Sequence, residues 1–247
     1  MNTEKLKQLN VDNLTSLWRR MGINKNSEWN KKGLTVSEKW PNRYWFDWDA
    51  NIQQINSIVP VLHQLPAQAV VPVWIGAGQA ANQLEVFLKD ECFQVLFSQQ
   101  AMYLDLQQQV LPNLPELNVI EAQSPTDIET WVATASAAFG YTIDVAAIAA
   151  LVDVPEVKLL LLKEAEQAVA TALVYQTGDV IGVHLVGVPD EYRGRGFARM
   201  IMQQVIKISI EMGGKYLTLQ ASAAGEPLYL QLGFERQFEI RNYKRSS

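Results

Sequence analysis

The sequence predicts a mixed α/β fold of the α+β kind, a mostly antiparallel sheet flanked by helices, and three observations carry that expectation. From residue 118 onward, apolar runs switch between strand and helix periodicity in the order β-α-α-β-β-β-α-β-α-β, which is not a pure βαβ repeat. Two connectors in this region, Glu164-Ala165-Glu166-Gln167 and Thr177-Gly178-Asp179, are short and polar. Parallel neighbours need a long crossover, so these connectors join antiparallel strands. The third of the strands they join runs into a glycine-rich turn and then a long amphipathic helix.

The elements follow in order. Leu6, Leu9, Leu14, Leu17 and Met21 mark a first helix. Gly33 to Trp40 and Asn42 to Trp48 read as strands, Ile52 to Leu65 as a helix, Val70 to Ile75 as a strand and Asn82 to Lys89 as a helix. Cys92 to Phe97 and Ala101 to Leu106 read as a strand pair. Leu111-Pro112-Asn113-Leu114-Pro115 carries two prolines in a non-periodic stretch, and proline neither continues a helix nor donates to a sheet. The linker is placed there, between a first domain over 1–113 and a second over 116–247. In the second, Asn118 to Ala122 is a strand, and Ser124-Pro125 starts a helix with an N-cap and a proline at the first helical position. That helix runs to Ala138, and a second covers Val145 to Leu151. Strands follow over Val157 to Lys163, Ala168 to Tyr175 and Val180 to Val188. The long helix spans Gly196 to Met212, with Phe197, Ile201, Val205, Ile208 and Met212 on one face, and Gly213-Gly214 stops it. Tyr216 to Ala221 is a strand, Glu226 to Leu232 a short helix closed by Gly233, and Glu235 to Tyr243 the last strand. The element order of the first half repeats that of the second, which suggests a diverged duplication.

Composition narrows the function classes. Of 247 residues, 48% are hydrophobic and 19% charged, ordinary for a chain that buries a core. The net charge of −5 shows no basic face for nucleic acid or an anionic membrane, which leaves small molecules or protein surfaces as partners. The single Cys92 excludes an intramolecular disulfide, and only His63 and His184 are present, so no Cys/His metal signature exists. No apolar run is long enough to span a membrane, and the first ten residues lack the plan of a secretory signal. A cytoplasmic setting is expected.

Chemistry concentrates in Val186-Gly187-Val188-Pro189-Asp190-Glu191-Tyr192-Arg193-Gly194-Arg195-Gly196-Phe197-Ala198. A strand ends at Pro189 and two glycines sit at the mouth of the long helix. Glycine there opens backbone angles closed to other residues and removes side chains that would block a ligand. Such a turn aims unpaired amides and the positive end of the helix dipole at one point, which suits a phosphate or diphosphate. Arg193 and Arg195 would add charge-assisted contacts. The turn is no P-loop, which needs Gly-Lys-Ser/Thr, and no dinucleotide fingerprint, which needs a third glycine and a downstream acid.

Arg193-Gly194-Arg195-Gly196-Phe197-Ala198 resembles the R-x-x-G-x-G/A motif of the GNAT N-acetyltransferases. Some 30 residues later, Pro227-Leu228-Tyr229-Leu230-Gln231-Leu232-Gly233-Phe234 is similar to that family's second signature. The resemblance covers about 116–247, whereas 1–113 resembles the degenerate first lobe of tandem GNAT proteins in element order alone. It implies acetyl-CoA as co-substrate, with the amides of Arg193 to Ala198 on its diphosphate and Val186-Gly187-Val188 paired with the pantetheine arm. Gly187 suits a bulge that would open the slot. The amide of Val188 would face the thioester oxygen, where charge grows during attack.

Tyr229 takes the place of the general acid that protonates the departing thiolate; by itself it reads equally as a ring buried beside Leu228 and Leu232. His184, four residues before Val188, shares its face if the strand is unbulged, and is either the base or a satisfied core histidine. Glu191 is a second candidate base or a solvated turn carboxylate. Where many relatives have asparagine after the last core strand, this chain has Ser222, with shorter reach toward the pantetheine. Asp144 either pairs with a cationic amine or caps the following helix. The aromatic run Trp40, Tyr44, Trp45, Phe46 and Trp48 either walls a pocket or packs the strands. The sequence therefore points to an acetyl-CoA-dependent N-acyltransferase acting on a small-molecule or peptide amine by direct attack, without a metal. Its rival is a CoA-binding sensor that has lost catalysis; a third reading makes Arg193 and Arg195 an RNA contact.

Overall fold

A computed structural model describes residues 2–22, 27–110 and 117–246; the expected linker at 111–115 lies outside them. The fold is α+β, with a mixed, mostly antiparallel sheet and flanking helices. The chain divides into two compact units, one of residues 1–102 with 220–247 and one of residues 103–219.

In the first unit, α1 (Thr3–Gly22) buries Leu6, Leu14, Leu17 and Trp18 at helical spacing. A short helix, α2 (Glu28–Lys31), precedes the antiparallel ribbon of β1 (Thr35–Ser37) and β2 (Arg43–Trp45). The helix expected over 52–65 divides into α3 (Ile52–Ile58) and a 3-10 segment over Val59–Gln64, because Pro60 cannot donate an α-helical hydrogen bond. Then come β3 (Val71–Trp74), α4 (Gln79–Asp90) and β4 (Phe93–Asp105).

The strand pair expected over 92–106 is instead this one thirteen-residue strand, whose end lies in the second unit. Its polar middle holds the ladder through side chains: Gln100 Nε2 donates to the Phe238 carbonyl at 2.9 Å and Gln99 Nε2 to that of Gln220 at 3.3 Å. The last strand, β10 (Glu235–Arg245), lies between β3 and β4. Buried Asn10 on α1 donates to Met102 O and Gln237 Oε1 and accepts from Gln220 Nε2. The aromatic run belongs to this unit's packing: Trp45 is fully buried and meets Trp18 edge-on, with centroids 5.4 Å apart.

In the second unit the strand order is β9-β8-β7-β6-β5. β5 (Val119–Glu121), β6 (Val157–Glu164), β7 (Gln167–Thr177) and β8 (Val180–Gly187) are antiparallel neighbours, and β9 (Tyr216–Ala221) runs parallel to β8. α5 (Pro125–Phe139) starts on Ser124, whose hydroxyl accepts from the Asp127 amide. Its Trp131, fully buried, donates Nε1–H to Leu160 O at 3.0 Å and anchors the helix on β6. Asp144 caps α6 (Val145–Ala149), accepting from the amides of Ala146 and Ala147. α7 (Phe197–Glu211) packs Phe197, Ile201, Met202 and Val205 inward against β7 and β8. The final short helix, α8 (Glu226–Gln231), returns to the first unit.

Candidate functional site

The ladder between β8 and β9 has three pairs: Val180 with Tyr216, Ile181 with Leu217 and Gly182 with Thr218. Beyond Gly182, β8 continues five more residues with β7 as its ladder partner on one side. A strand edge left open in this way presents backbone donors and acceptors to anything extended that carries amide groups.

A bulge accompanies the parting. Leu173 pairs with His184 and Thr171 with Gly187, so β7 advances two residues while β8 advances three. Leu185 absorbs the extra residue at φ 52°, in the left-handed region that a leucine seldom occupies. Its carbonyl accepts a hydrogen bond from the buried Thr171 hydroxyl at 3.0 Å. The bulge therefore sits at Leu185 and Val186, not at Gly187 as the sequence suggested. Gly187 is required for another reason: a Cβ there would lie 2.8 Å from Ala138 Cβ and 3.2 Å from Phe139 Cε2, at the end of α5. The bulge also corrects the argument made for His184. One inserted residue reverses the alternation of faces, so His184 and Val188 do not share one. His184 is buried and engaged by its surroundings.

After β8 the chain makes a 3-10 turn over Asp190–Tyr192, and then Gly194 and Gly196 take φ of 75° and 84° before α7 begins. Among the described residues, the amides of Val188, Gly194, Arg195 and Gly196 donate no hydrogen bond. The first amides of α7, at Phe197 and Ala198, have no intrahelical acceptor by construction. A run of N–H groups without acceptors thus lies at the positive end of a fifteen-residue helix.

Both arginines are engaged by neighbouring groups of the protein. Arg193 folds back on its own unit, donating Nε–H to Val188 O at 3.2 Å and Nη2–H to Ala138 O at 2.9 Å, and pairing with Asp190 at 2.7 Å. It ties the end of β8 to the C-terminal carbonyl of α5 and so braces the open edge. Arg195 pairs with the Glu164 carboxylate and lies over the Phe197 ring, 4.9 Å from its centroid. Glu191 is exposed beside Asp190.

Ser222 and Tyr229 belong to the first unit. Ser222 is exposed, and its hydroxyl accepts from the Gly225 amide at 3.2 Å, so one lone pair is committed to the turn before α8. Tyr229 is 9% exposed and meets Phe234 edge-on at 5.7 Å. Burial pushes its phenol up to about 12, which keeps it protonated at neutral pH. Among the described residues its hydroxyl has no hydrogen-bond partner. Asp144 is spent on its cap, as the blander of the two sequence readings had it. Also among the described residues, no group of three or more His, Cys, Asp and Glu could hold a metal ion, and no helix is long and apolar enough to cross a membrane.

One feature escaped the sequence analysis. In Ile75-Gly76-Ala77-Gly78-Gln79-Ala80, between β3 and α4, both glycines take positive φ, 94° and 98°. The spacing G-x-G-x-A repeats that of Gly194 to Ala198. The signal was present but lacked the flanking arginines.

Comparison with known proteins bears on this geometry. The profile of the acetyltransferase (GNAT) domain matches residues 120–245, half of the chain. Among curated proteins no sequence matches. Similar solved structures include a GCN5-related N-acetyltransferase from Kribbella flavida, with TM-score 0.60 and 16% identity over 83% of this chain and 80% of that one. A putative GNAT acetyltransferase from Novosphingobium aromaticivorans gives 0.60 and 15% over 91% and 92%. A functionally unknown conserved protein from Staphylococcus epidermidis gives 0.62 and 13% over 92% and 96%. At such identities these structures speak for the fold alone, whereas the profile speaks for ancestry. The chain belongs to the GNAT acetyltransferase family.

Proposed function

We propose that the protein is an acyl-CoA-dependent N-acyltransferase that moves an acetyl group from acetyl-CoA to a primary amine by direct attack in a ternary complex. The observation that carries this is the parting of β8 from β9 after three pairs, next to a turn of bare amides. The two features fit the two halves of one ligand: an amide-bearing arm for the open edge and a diphosphate for the turn. The amides of Gly194 to Ala198 hold the diphosphate, Val186 and Gly187 lie along the arm, and Arg193 keeps the edge in place.

In the reaction the amine nitrogen forms a bond to the thioester carbon, and the carbonyl oxygen gathers charge facing the Val188 amide. One such donor is worth about 10²- to 10³-fold in rate. The C–S bond then breaks, and the sulfur takes a proton from Tyr229, whose buried phenol is in its protonated form at neutral pH. The amine's own proton leaves to solvent through a base; His184, turned to the other face by the bulge, is a weaker candidate than an unbulged strand would make it. We further propose that residues 1–113 are a diverged, non-catalytic lobe of a tandem arrangement and that 116–247 form the catalytic domain. The repeated G-x-G-x-A turn supports a common origin.

A second reading, a CoA-binding module without catalysis, is favoured by the packing of Tyr229 against Phe234. Calorimetry with acetyl-CoA, followed by free-thiol release across a panel of primary amines, tests both. Binding with amine-dependent thiol release is expected; binding without it for any amine supports the module, and no binding ends both.

A further inference from the structure

We infer that Glu164 competes with the phosphate-bearing ligand for Arg195 and thereby limits how tightly the glycine turn holds CoA; this rests on assigning the turn to the diphosphate. Glu164 and Gln167 form the last pair of the β6–β7 hairpin. Between them Ala165 and Glu166 take φ of 46° and 67°, the two left-handed residues of a tight hairpin turn. The end of the hairpin is thus fixed, and it lends two side chains to the glycine turn. Gln167 Oε1 accepts from the Tyr192 hydroxyl at 2.9 Å, and the Glu164 carboxylate pairs with Arg195.

These contacts differ in what they bring. The first is neutral and braces the turn. The second sets a negative charge on the guanidinium that neighbours the bare amides of Gly194 and Gly196. Guanidinium takes carboxylate and phosphate with the same planar fork, so an arriving diphosphate and Glu164 compete for one set of donors. Arg195 is preorganised for the exchange by its stacking on Phe197. Both partners are about half exposed, at 48% and 47%, so solvent screens their pair and its exchange is easy. Arg193 cannot play this part, because its donors hold Val188 O and Ala138 O.

The test is calorimetric titration of CoA into the wild-type chain, Glu164→Gln, Arg195→Gln and the double variant, with melting curves to establish that each folds. Glu164→Gln should tighten CoA about two- to five-fold, the scale of a screened surface ion pair. In the Arg195→Gln background the same change should give no gain. An unchanged or weaker affinity in Glu164→Gln, or a gain that persists without Arg195, overturns the competition while leaving the diphosphate assignment intact. No heat with CoA in any of the four proteins overturns that assignment and the inference with it.

Discussion

Replacing Gly187 by alanine tests whether the end of α5 and the open edge of β8 are built against each other. The new Cβ would sit 2.8 Å from Ala138 Cβ, 3.2 Å from Phe139 Cε2 and 3.4 Å from Thr171 Oγ1. The first distance is roughly 0.7–1.2 Å inside the usual 3.5–4.0 Å carbon–carbon separation. Ala138 Cβ cannot swing away, because it is fixed to a helix backbone whose carbonyl Arg193 holds. The strain must therefore move α5 or twist β8. Overpacking of this kind costs about 1–3 kcal/mol, which for a chain of this size lowers Tm by roughly 2–12 °C at about 2–4 °C per kcal/mol. CoA affinity should fall with it, because the displaced segment borders the open edge.

Shortening the obstacle supplies the control. Ala138→Gly alone should cost up to about 1 kcal/mol in helix propensity. Combined with Gly187→Ala, it should recover part of the loss, giving a favourable coupling of about 0.5–2 kcal/mol in a double-mutant cycle. Melting curves and CoA calorimetry on the four proteins read both quantities. A Gly187→Ala protein with unchanged Tm and affinity, or a cycle with zero coupling, would refute the close-approach argument.

Three further outcomes are expected. Tyr229→Phe should lower turnover by about 10²- to 10⁴-fold with CoA affinity unchanged, measured by thiol release; undiminished turnover removes the phenol from the mechanism. Thr171→Val keeps the shape but deletes the hydroxyl that satisfies Leu185 O, and should destabilise by about 1–3 kcal/mol in denaturant titration; an unchanged midpoint would show that the bulge does not need this donor. Burial raises the phenols of Tyr44 and Tyr229 from 10.0 to about 12. The folded state then binds these protons more firmly, so their contribution is whole below pH 10 and is lost as pH rises toward 12. Tyr229→Phe should flatten that alkaline limb, and an identical limb would contradict the burial.

What the sequence made legible is what local chemistry determines. Ser124, Asp144 and Gly196 sit where caps and left-handed turns demand those residues, and α7 follows directly from its apolar spacing. What it hid depends on partners far along the chain. Ser98-Gln99-Gln100 reads as a break because nothing local shows that the glutamines bond to Gln220 and Phe238 carbonyls. The bulge falls on a leucine, a residue that never advertises φ of 52°; the group that stabilises it, Thr171, lies on another strand. Residue type suggests Arg193 as a phosphate contact, but nothing local to it shows that its guanidinium bonds the Val188 and Ala138 carbonyls and braces β8.

The position of β10 between β3 and β4 bears on how the polypeptide is made. Residues 71–74 meet their hydrogen-bonding neighbour only once residues 240–243 exist, so synthesis runs on for some 170 residues before that ladder can close. The intervening stretch, 103–219, is continuous and holds its own strands from β5 to β8. During synthesis the strands from β5 to β8 can pair with one another as they emerge, whereas β3 waits for β10 before its ladder closes.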